Sequence, residues 1–381
     1  MKFKAKAIAA VLTAAALCAA FTSCSQDPRP DKKYLTNVEQ MSFWSNSAKN
    51  SVAQYNVYNH VNDFLSDGKI VDGNVVSNDG KVKKVLFLGF DGMRADALAN
   101  IFLDENAFET NGYNTTAQYS GINEVKKEGG LYLAYCGGEK GKSSEQSTST
   151  SASWTSEFTG VWGEKHGIKE NDDIKNMEYK TFMLQYAEKG LQTSIAFEWD
   201  QYLDLNLRNE VKYVMENPQI QMHFCDIDRE KATSLKEDAL AENLELYNYV
   251  APEKPYKDAE YDVGLRDYVF ERIEKGDDIV CGIFHSIDSN GHNFNFSNST
   301  GQYVNSVRNC DTYAYQIVEK IKEREAKYNE DWLIVFANDH GGRGKGHGRQ
   351  TFEERTTWIA TNKKIDEKYF SVNYDGYTEN K

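Results

Sequence analysis

The sequence predicts an α/β fold of three layers, a mostly parallel central sheet flanked by helices. Apolar runs at Lys83–Phe90, Gln192–Trp199, Asp278–Ile287 and Trp332–Asn338 are short, continuous rather than alternating, and closed by polar or acidic residues. A strand covered on both faces has no polar side to show, so continuity is what a parallel sheet between two helical layers demands. Between the runs lie stretches with apolar residues at helical spacing, and strands alternating with helices are the grammar of such sheets.

Taken in chain order, residues 1–24 fall outside the fold. Lys2, Lys4 and Lys6 precede the apolar run Ile8 to Phe21, too short to span a bilayer comfortably, which reads as a secretory signal. The run closes Phe21-Thr22-Ser23-Cys24, which resembles the lipobox of bacterial lipoproteins with Phe in place of the usual Leu. That resemblance implies that Cys24 is acylated and becomes the first residue of an exported protein, lipid-anchored to the membrane of the cell envelope. Residues 25–81 then supply a polar tether and an N-terminal extension. Its stretch from Asn37 to Leu65 reads as helical through Met41, Trp44, Val52, Tyr55 and Val61.

Residues 82–381 form the main domain. Its first unit is a strand to Phe90, a tight turn at Asp91-Gly92 and a helix from Met93 to Phe102. Further helices are expected at Thr181–Lys189, Arg266–Lys275 and Tyr303–Lys327, the last with Val304, Val307, Tyr315, Val318 and Ile321 near helical spacing. The long, polar, Tyr-rich stretch 204–262 breaks this grammar and is read as an inserted cap.

The 381 residues carry 44 Lys+Arg against 58 Asp+Glu, a formal charge of −14, and removal of the leader takes away lysines only. No Lys/Arg cluster interrupts this acidity, so no nucleic-acid-binding groove is expected. A phosphorylated ligand would need positive charge from another source. Of the six cysteines, Cys136, Cys225, Cys281 and Cys310 follow the anchor position. Outside the cytoplasm they permit two bridges in any of about three pairings.

In open α/β sheets chemistry gathers beyond the carboxyl ends of the strands. Asp91 ends the first strand, Asp288 and His292 follow the third in Asp288-Ser289-Asn290-Gly291-His292, Asp339 and His340 end the fourth, and His347 follows in Gly346-His347-Gly348. Each alone has an ordinary reading as a turn or a helix cap. Carboxylates and imidazoles gathered at three strand ends are the donor set of a pair of zinc-type ions. The stretch Ser147 to Ser153 adds hydroxyls that a bound cation would make nucleophilic by stabilising the alkoxide. By composition it is equally a flexible loop, and composition does not choose among its hydroxyls.

The strand and turn Val85-Leu86-Phe87-Leu88-Gly89-Phe90-Asp91-Gly92-Met93-Arg94, with DSNGH at 288–292 and NDHGG at 338–342, resemble the alkaline phosphatase superfamily. Among its branches they look most like the type I phosphodiesterase / nucleotide pyrophosphatase proteins, over about Lys84 to Thr361. The resemblance implies an alkaline phosphatase-like domain with two divalent metal ions, Zn2+ first and Mn2+ or Mg2+ as alternatives. One ion would take Asp91, Thr150, Asp339 and His340, the other Asp288, His292 and His347. In the family a Thr or Ser lies nine residues before the Thr-Gly that precedes a His-Gly-Ile, so counting back from Thr159 gives Thr150 as the catalytic nucleophile, with His166 structural.

The implied activity is hydrolysis of a small phosphate ester or nucleotide, a diester or pyrophosphate first, through a covalent phospho-threonine. Two features depart from the family pattern. Ser153 stands where an Asn would offer an amide to phosphate, and His347 follows His340 by only seven residues. A phosphomonoesterase shares the ligands, and a non-catalytic metal-bearing surface lipoprotein would share the scaffold. A sulfatase needs Cys or Ser followed by Pro and Arg, which Ser151-Ala152-Ser153-Trp154 does not supply.

Overall fold

A computed structural model describes residues 32–102, 119–199, 201–227, 249–250 and 261–371, so the leader and Cys24 lie outside the described residues. Within these, eleven strands form one sheet. They are β1 Val52–Ala53, β2 Lys69–Val71, β3 Asn74–Val76, β4 Val82–Phe90, β5 Gly130–Tyr135, β6 Thr193–Phe197, β7 Met222–Asp226, β8 Tyr249–Val250, β9 Ile279–Phe284, β10 Glu330–Ala337 and β11 Thr356–Thr361. The order is β1-β5-β11-β10-β4-β9-β6-β7-β8, with β3 on the start of β4 and β2 on β3. From β10 to β8 neighbouring strands are parallel, as β1 is to β5, while β11 is antiparallel to both its neighbours. The three-layer, mostly parallel architecture read from the apolar runs is therefore the one observed.

β4 shows why. Its side chains from Lys83 on are all buried, Leu86, Leu88 and Phe90 in the core on one face and Val85 and Phe87 in the core on the other. Phe87 meets Trp154 and Phe158 edge-on, at 5.8 and 5.4 Å between ring centroids, and so seats the Thr150–Thr159 helix. On the opposite face the Gly301–Lys327 helix buries Val304, Val307, Val318 and Ile321 of the expected stripe, while Tyr315 is only half-buried and Tyr303, Cys310, Ala314 and Ile317 complete the packed face.

Several boundaries differ from expectation, each for a local reason. The stretch from Asn37 to Leu65 is not one helix but the end of Lys32–Glu39, strand β1 and the Asn56–Ser66 helix. Between them Ser45 and Asn46 give their hydrogen bonds to β5 instead. The Ser45 N–H donates to Leu131 O at 2.7 Å, and Asn46 accepts from the Leu133 N–H at 2.7 Å while donating to its carbonyl at 3.0 Å. Short polar side chains that satisfy a neighbouring backbone compete with helix in this way. The helix expected over Met93–Phe102 is a 3-10 turn, Ala95–Leu98, followed by Ala99–Phe102.

The stretch read as a cap is corrected over its first part. The Arg208–Glu216 helix and β7 belong to the layers themselves, because Met222, Phe224 and Cys225 are apolar enough to extend the sheet beside β6. Of the rest, 228–248 and 251–260 lie outside the described residues. Cys136, Cys225, Cys281 and Cys310 are buried free thiols, so none of the pairings that were open among them is formed.

Phe87→Ala should cost about 3–5 kcal/mol, the usual range for a buried aromatic truncated to alanine. Urea denaturation measures it, and a loss below about 1 kcal/mol would mean that this face of β4 is not packed as described.

Candidate metal centre and nucleophile

Three parallel strands deliver the site. β4, β9 and β10 run in register, with Gly89 opposite both Ile283 and Ala337 and Phe90 opposite Phe284, so the residues that follow emerge at one level. Asp91 follows β4, Asp339 and His340 follow β10, and all three are fully buried. After β9 the chain turns into the Ser286–Phe294 helix, where Asp288 and His292 share a face four residues apart. The loop closed by the Arg343–Gly346 bridge brings back His347. Gly92 has φ +70°, and a Cβ there would lie 2.7 Å from Asp288 Oδ1, so the turn after Asp91 admits only glycine.

All seven residues expected from sequence to bind metal are brought together. Around Asp91, His340 Nε2 lies 3.6 Å from Asp91 Oδ1, 3.2 Å from Asp339 Oδ2 and 3.4 Å from Thr150 Oγ1. Around Asp288, His292 Nε2 lies 3.2 Å from Oδ2 and His347 Nε2 3.7 Å from Oδ1. The His340 and His347 rings stack at 3.9 Å and join the two groups. Donors held tetrahedrally at 2.0–2.1 Å from an ion are about 3.3–3.4 Å apart, close to these separations.

The donor chemistry fits cations. Asp91 Oδ1, Asp288 Oδ1 and Asp339 Oδ2 are buried and take no hydrogen bond. Each histidine turns Nδ1 to a main-chain carbonyl, His340 to Gly341 O at 2.8 Å, His347 to Thr148 O at 3.0 Å and His292 to Lys345 O at 3.0 Å. A carbonyl can only accept, so Nδ1 carries the proton and Nε2 is the atom presented to the site, the tautomer a metal ligand needs. His292 Nε2 and His347 Nε2 are 3.1 Å apart, which two lone pairs tolerate only with a proton or a metal cation between them.

The electrostatics of the cluster carry the same unmet demand. Burial, reinforced by Asp91 alongside, pushes the Asp339 carboxyl well above the carboxylate range. Burial also opposes ionisation of Asp288, but the hydrogen bond from His292 and the charge of His347 win and hold it low. The same hydrogen bond raises His292 to about 9, whereas burial, then the neighbouring His340, lowers His347 to about 3. A cation bound between them must displace the His292 proton.

The hydroxyl stretch is not a loose loop from Thr150 on but a buried helix, Thr150–Thr159, ended by Gly160 in the left-handed conformation. Its hydroxyls separate by their partners. Thr148 donates to Glu354 Oε2 at 2.9 Å and accepts from the N–H groups of Gly348 and Gln350, so it is fully engaged. Ser151 donates to Asn206 Oδ1 at 2.6 Å, Ser153 is fully buried, and Ser149 Oγ takes no hydrogen bond. Thr150 alone among them has a hydrogen-bonding contact to the cluster, and it begins a helix whose first-turn N–H groups favour an anion.

Sequence reasoning missed three contributors. His285 was counted inside the third strand, but β9 stops at Phe284. The imidazole stacks on Trp199 and sets Nδ1 3.1 Å from Asp91 Oδ2 and Nε2 3.9 Å from Asp288 Oδ2. Trp154 Nε1 donates to the same Asp91 oxygen at 3.3 Å, leaving Oδ1 to face His340. Asn171 lies at the start of the Thr150 helix, its Oδ1 accepting from the Ser151 N–H at 3.2 Å, so a side-chain amide stands near Thr150 although Ser153 cannot supply one. His166 is buried beneath the helix against Ser156 at 3.0 Å, and burial lowers it to about 3, the behaviour of a neutral structural histidine.

No family model and no curated protein matches the sequence. Among solved structures the chain is similar to the alkaline phosphatase of the Antarctic bacterium TAB5, a mutant with Mg bound in its M3 site, at 12% identity over 76% of this chain and 96% of that one, TM-score 0.48. It is similar to phosphonoacetate hydrolase from Sinorhizobium meliloti 1021 in complex with phosphonoformate, at 12% identity over 70% of this chain and 59% of that one, TM-score 0.43. It is also similar to murine ectonucleotide pyrophosphatase / phosphodiesterase 5, at 15% identity over 68% of this chain and 57% of that one, TM-score 0.37.

Because the carboxylates repel one another when no cation neutralises them, dialysis against strong chelator should lower the melting temperature. Zinc at about 1,000 times its dissociation constant should restore about 4 kcal/mol per ion. Scanning calorimetry measures both, and an unchanged transition would reject the metal centre.

Proposed function

We propose that this chain is a metal-dependent phosphoric ester hydrolase of the alkaline phosphatase superfamily, acting on small phosphodiesters or nucleotide pyrophosphate links through Thr150. The observation that supports it above all is the placement of Thr150 Oγ1, 3.4 Å from His340 Nε2 at the head of a buried helix. Asp91, Asp339, His340 and Thr150 would hold one divalent ion and Asp288, His292 and His347 the other. Bound there, the ions supply the positive charge that an acidic chain lacks and lower the pKa of the hydroxyl and of water.

The chain's own residues do the rest. Thr150 attacks phosphorus, forming a Thr–O–P bond as the leaving alkoxide departs, and water later breaks that bond. The helix N-terminus, with the Asn171 side chain beside it, would meet the phosphoryl oxygens, where N–H donors stabilise developing negative charge. Trp154 and His285 fix the Asp91 carboxylate from its far oxygen. Thr148, tied to Glu354, holds the strand-like approach to Ser149 in place.

The preference for diesters follows from charge. A monoester dianion needs one more cation than a diester, and Lys142, nearest in sequence, is paired with Glu139 at 2.6 Å. Thr150→Ala should abolish turnover of bis-nitrophenyl phosphate while zinc content stays near that of the parent, and Thr150→Ser should keep part of the rate. Full activity in Thr150→Ala would remove the nucleophile. A preference for nitrophenyl phosphate of tenfold or more would move the reading to a phosphomonoesterase, with Arg349, whose N–H bonds the same Glu354 carboxylate as Thr148, as the cation to substitute next.

We further infer export and lipidation at Cys24, which the signal-like leader supports. No helix among the described residues is long and apolar enough to cross a membrane. Cys24→Ala should release the protein from the envelope membranes of the native host into the soluble fraction. Retention in those membranes would reject the anchor.

A further inference from the structure

The residues assigned to metal arrive on four segments, the Asp91 turn, the head of the Thr150 helix, the Ser286–Phe294 helix and the loop from Asp339 to His347, and a bound pair of ions needs them held to within a fraction of an ångström before it binds. One side chain ties together the chain next to three of them. Arg94, three residues after Asp91, places Nη1 on Phe296 O at 2.8 Å and on Gly342 O at 3.2 Å. Phe296 lies four residues beyond His292, and Gly342 two beyond His340. The remaining nitrogens, Nε and Nη2, fork onto Asp96 at 2.8 Å each, and the guanidinium plane lies 4.9 Å from the Tyr34 ring centroid.

The surroundings leave little freedom for any other arrangement. Tyr303 Oη donates to Gly92 O at 2.8 Å and accepts from the Arg94 N–H at 2.9 Å, closing the turn that carries Asp91. The Phe296 ring sits edge-on to His292 at 5.3 Å and to His347 at 6.2 Å. A Cβ added at Gly291 or at Gly342 would lie 2.3 Å from that ring, so both loops are pressed against it. We infer that Arg94 is a positioning residue that sets the spacing of the two metal-binding halves, by clamping the carbonyls of Phe296 and Gly342 from the Asp91 turn.

This assignment rests on the two-ion reading, but its test needs no substrate. A lysine keeps the charge and loses the fork, so its single ammonium cannot hold Asp96 and two carbonyls together. On the full chain, stripped and reloaded, zinc affinity is measured by competition with a chromophoric chelator and the melting temperature of the metal-free protein by calorimetry. Arg94→Lys should weaken zinc binding by about 10–100-fold, the effect of losing a group that orients metal ligands. Its hydrolytic rate should recover towards the parent value at saturating zinc.

Zinc affinity within twofold of the parent would overturn the assignment, as would a lowered melting temperature with affinity unmoved, the signature of a merely structural arginine. If Arg94→Lys does not fold, Tyr303→Phe carries the test. It deletes only the hydroxyl between Gly92 O and the Arg94 N–H, and a severalfold loss of zinc affinity supports the clamp while no loss overturns it. An inert protein that still loses zinc affinity in Arg94→Lys would reject the hydrolase reading and keep the clamp.

Discussion

The structure depends on one unfavourable electrostatic arrangement. Asp91, Asp288 and Asp339 are brought from three strands into a buried space where their Oδ1, Oδ1 and Oδ2 atoms take no hydrogen bond. Burying unpaired carboxylates is among the costliest things a fold can do, and proteins tolerate it where a cation repays the cost. The sheet, the clamp of Arg94 and the three histidines with Nδ1 tied to carbonyls all serve to keep that cluster from relaxing apart. Strain of this kind is stored where function needs it.

The sheet register makes the arrangement possible. Side chains alternate faces along a strand, so slipping β9 or β10 by one residue against β4 would exchange the side chains packed into the two cores on either face and move its end by about 3.3 Å. Asp91 and Asp339 would then no longer meet at the Gly92 N–H, which donates to Asp339 Oδ1 at 3.0 Å. The apolar continuity of β4 and the lengths of its neighbours therefore position the site as directly as the ligands themselves do.

What could be read from the sequence follows the same division. Continuous apolar runs gave away β4, β6, β9 and β10, because a strand buried on both faces writes its whole length in apolar residues. β5 and β11 went unseen. In β11 three threonines flank Trp358, Ile359 and Ala360, and in β5 Gly130 and two tyrosines break up the apolar run, although all are buried. The candidate ligands were legible because they follow strand ends in short motifs. His285 was not, since a histidine beside an apolar run is indistinguishable from the last residue of a strand until β9 is seen to stop at Phe284.

The amide near the nucleophile shows a limit of a different kind. Sequence spacing directed attention to Ser153, one turn into the helix, and that position is fully buried beneath it. The group that lies at the helix start is Asn171, held by a loop and not by the helix. Its main-chain carbonyl accepts from Ser151 Oγ at 3.3 Å and from Asn206 Nδ2 at 2.9 Å. No periodicity links residues 151, 171 and 206, because their meeting is a product of tertiary packing. A helix start joined by an amide from a remote loop is legible in the fold and silent in the sequence, whereas carboxylates and imidazoles gathered at strand ends are legible in both.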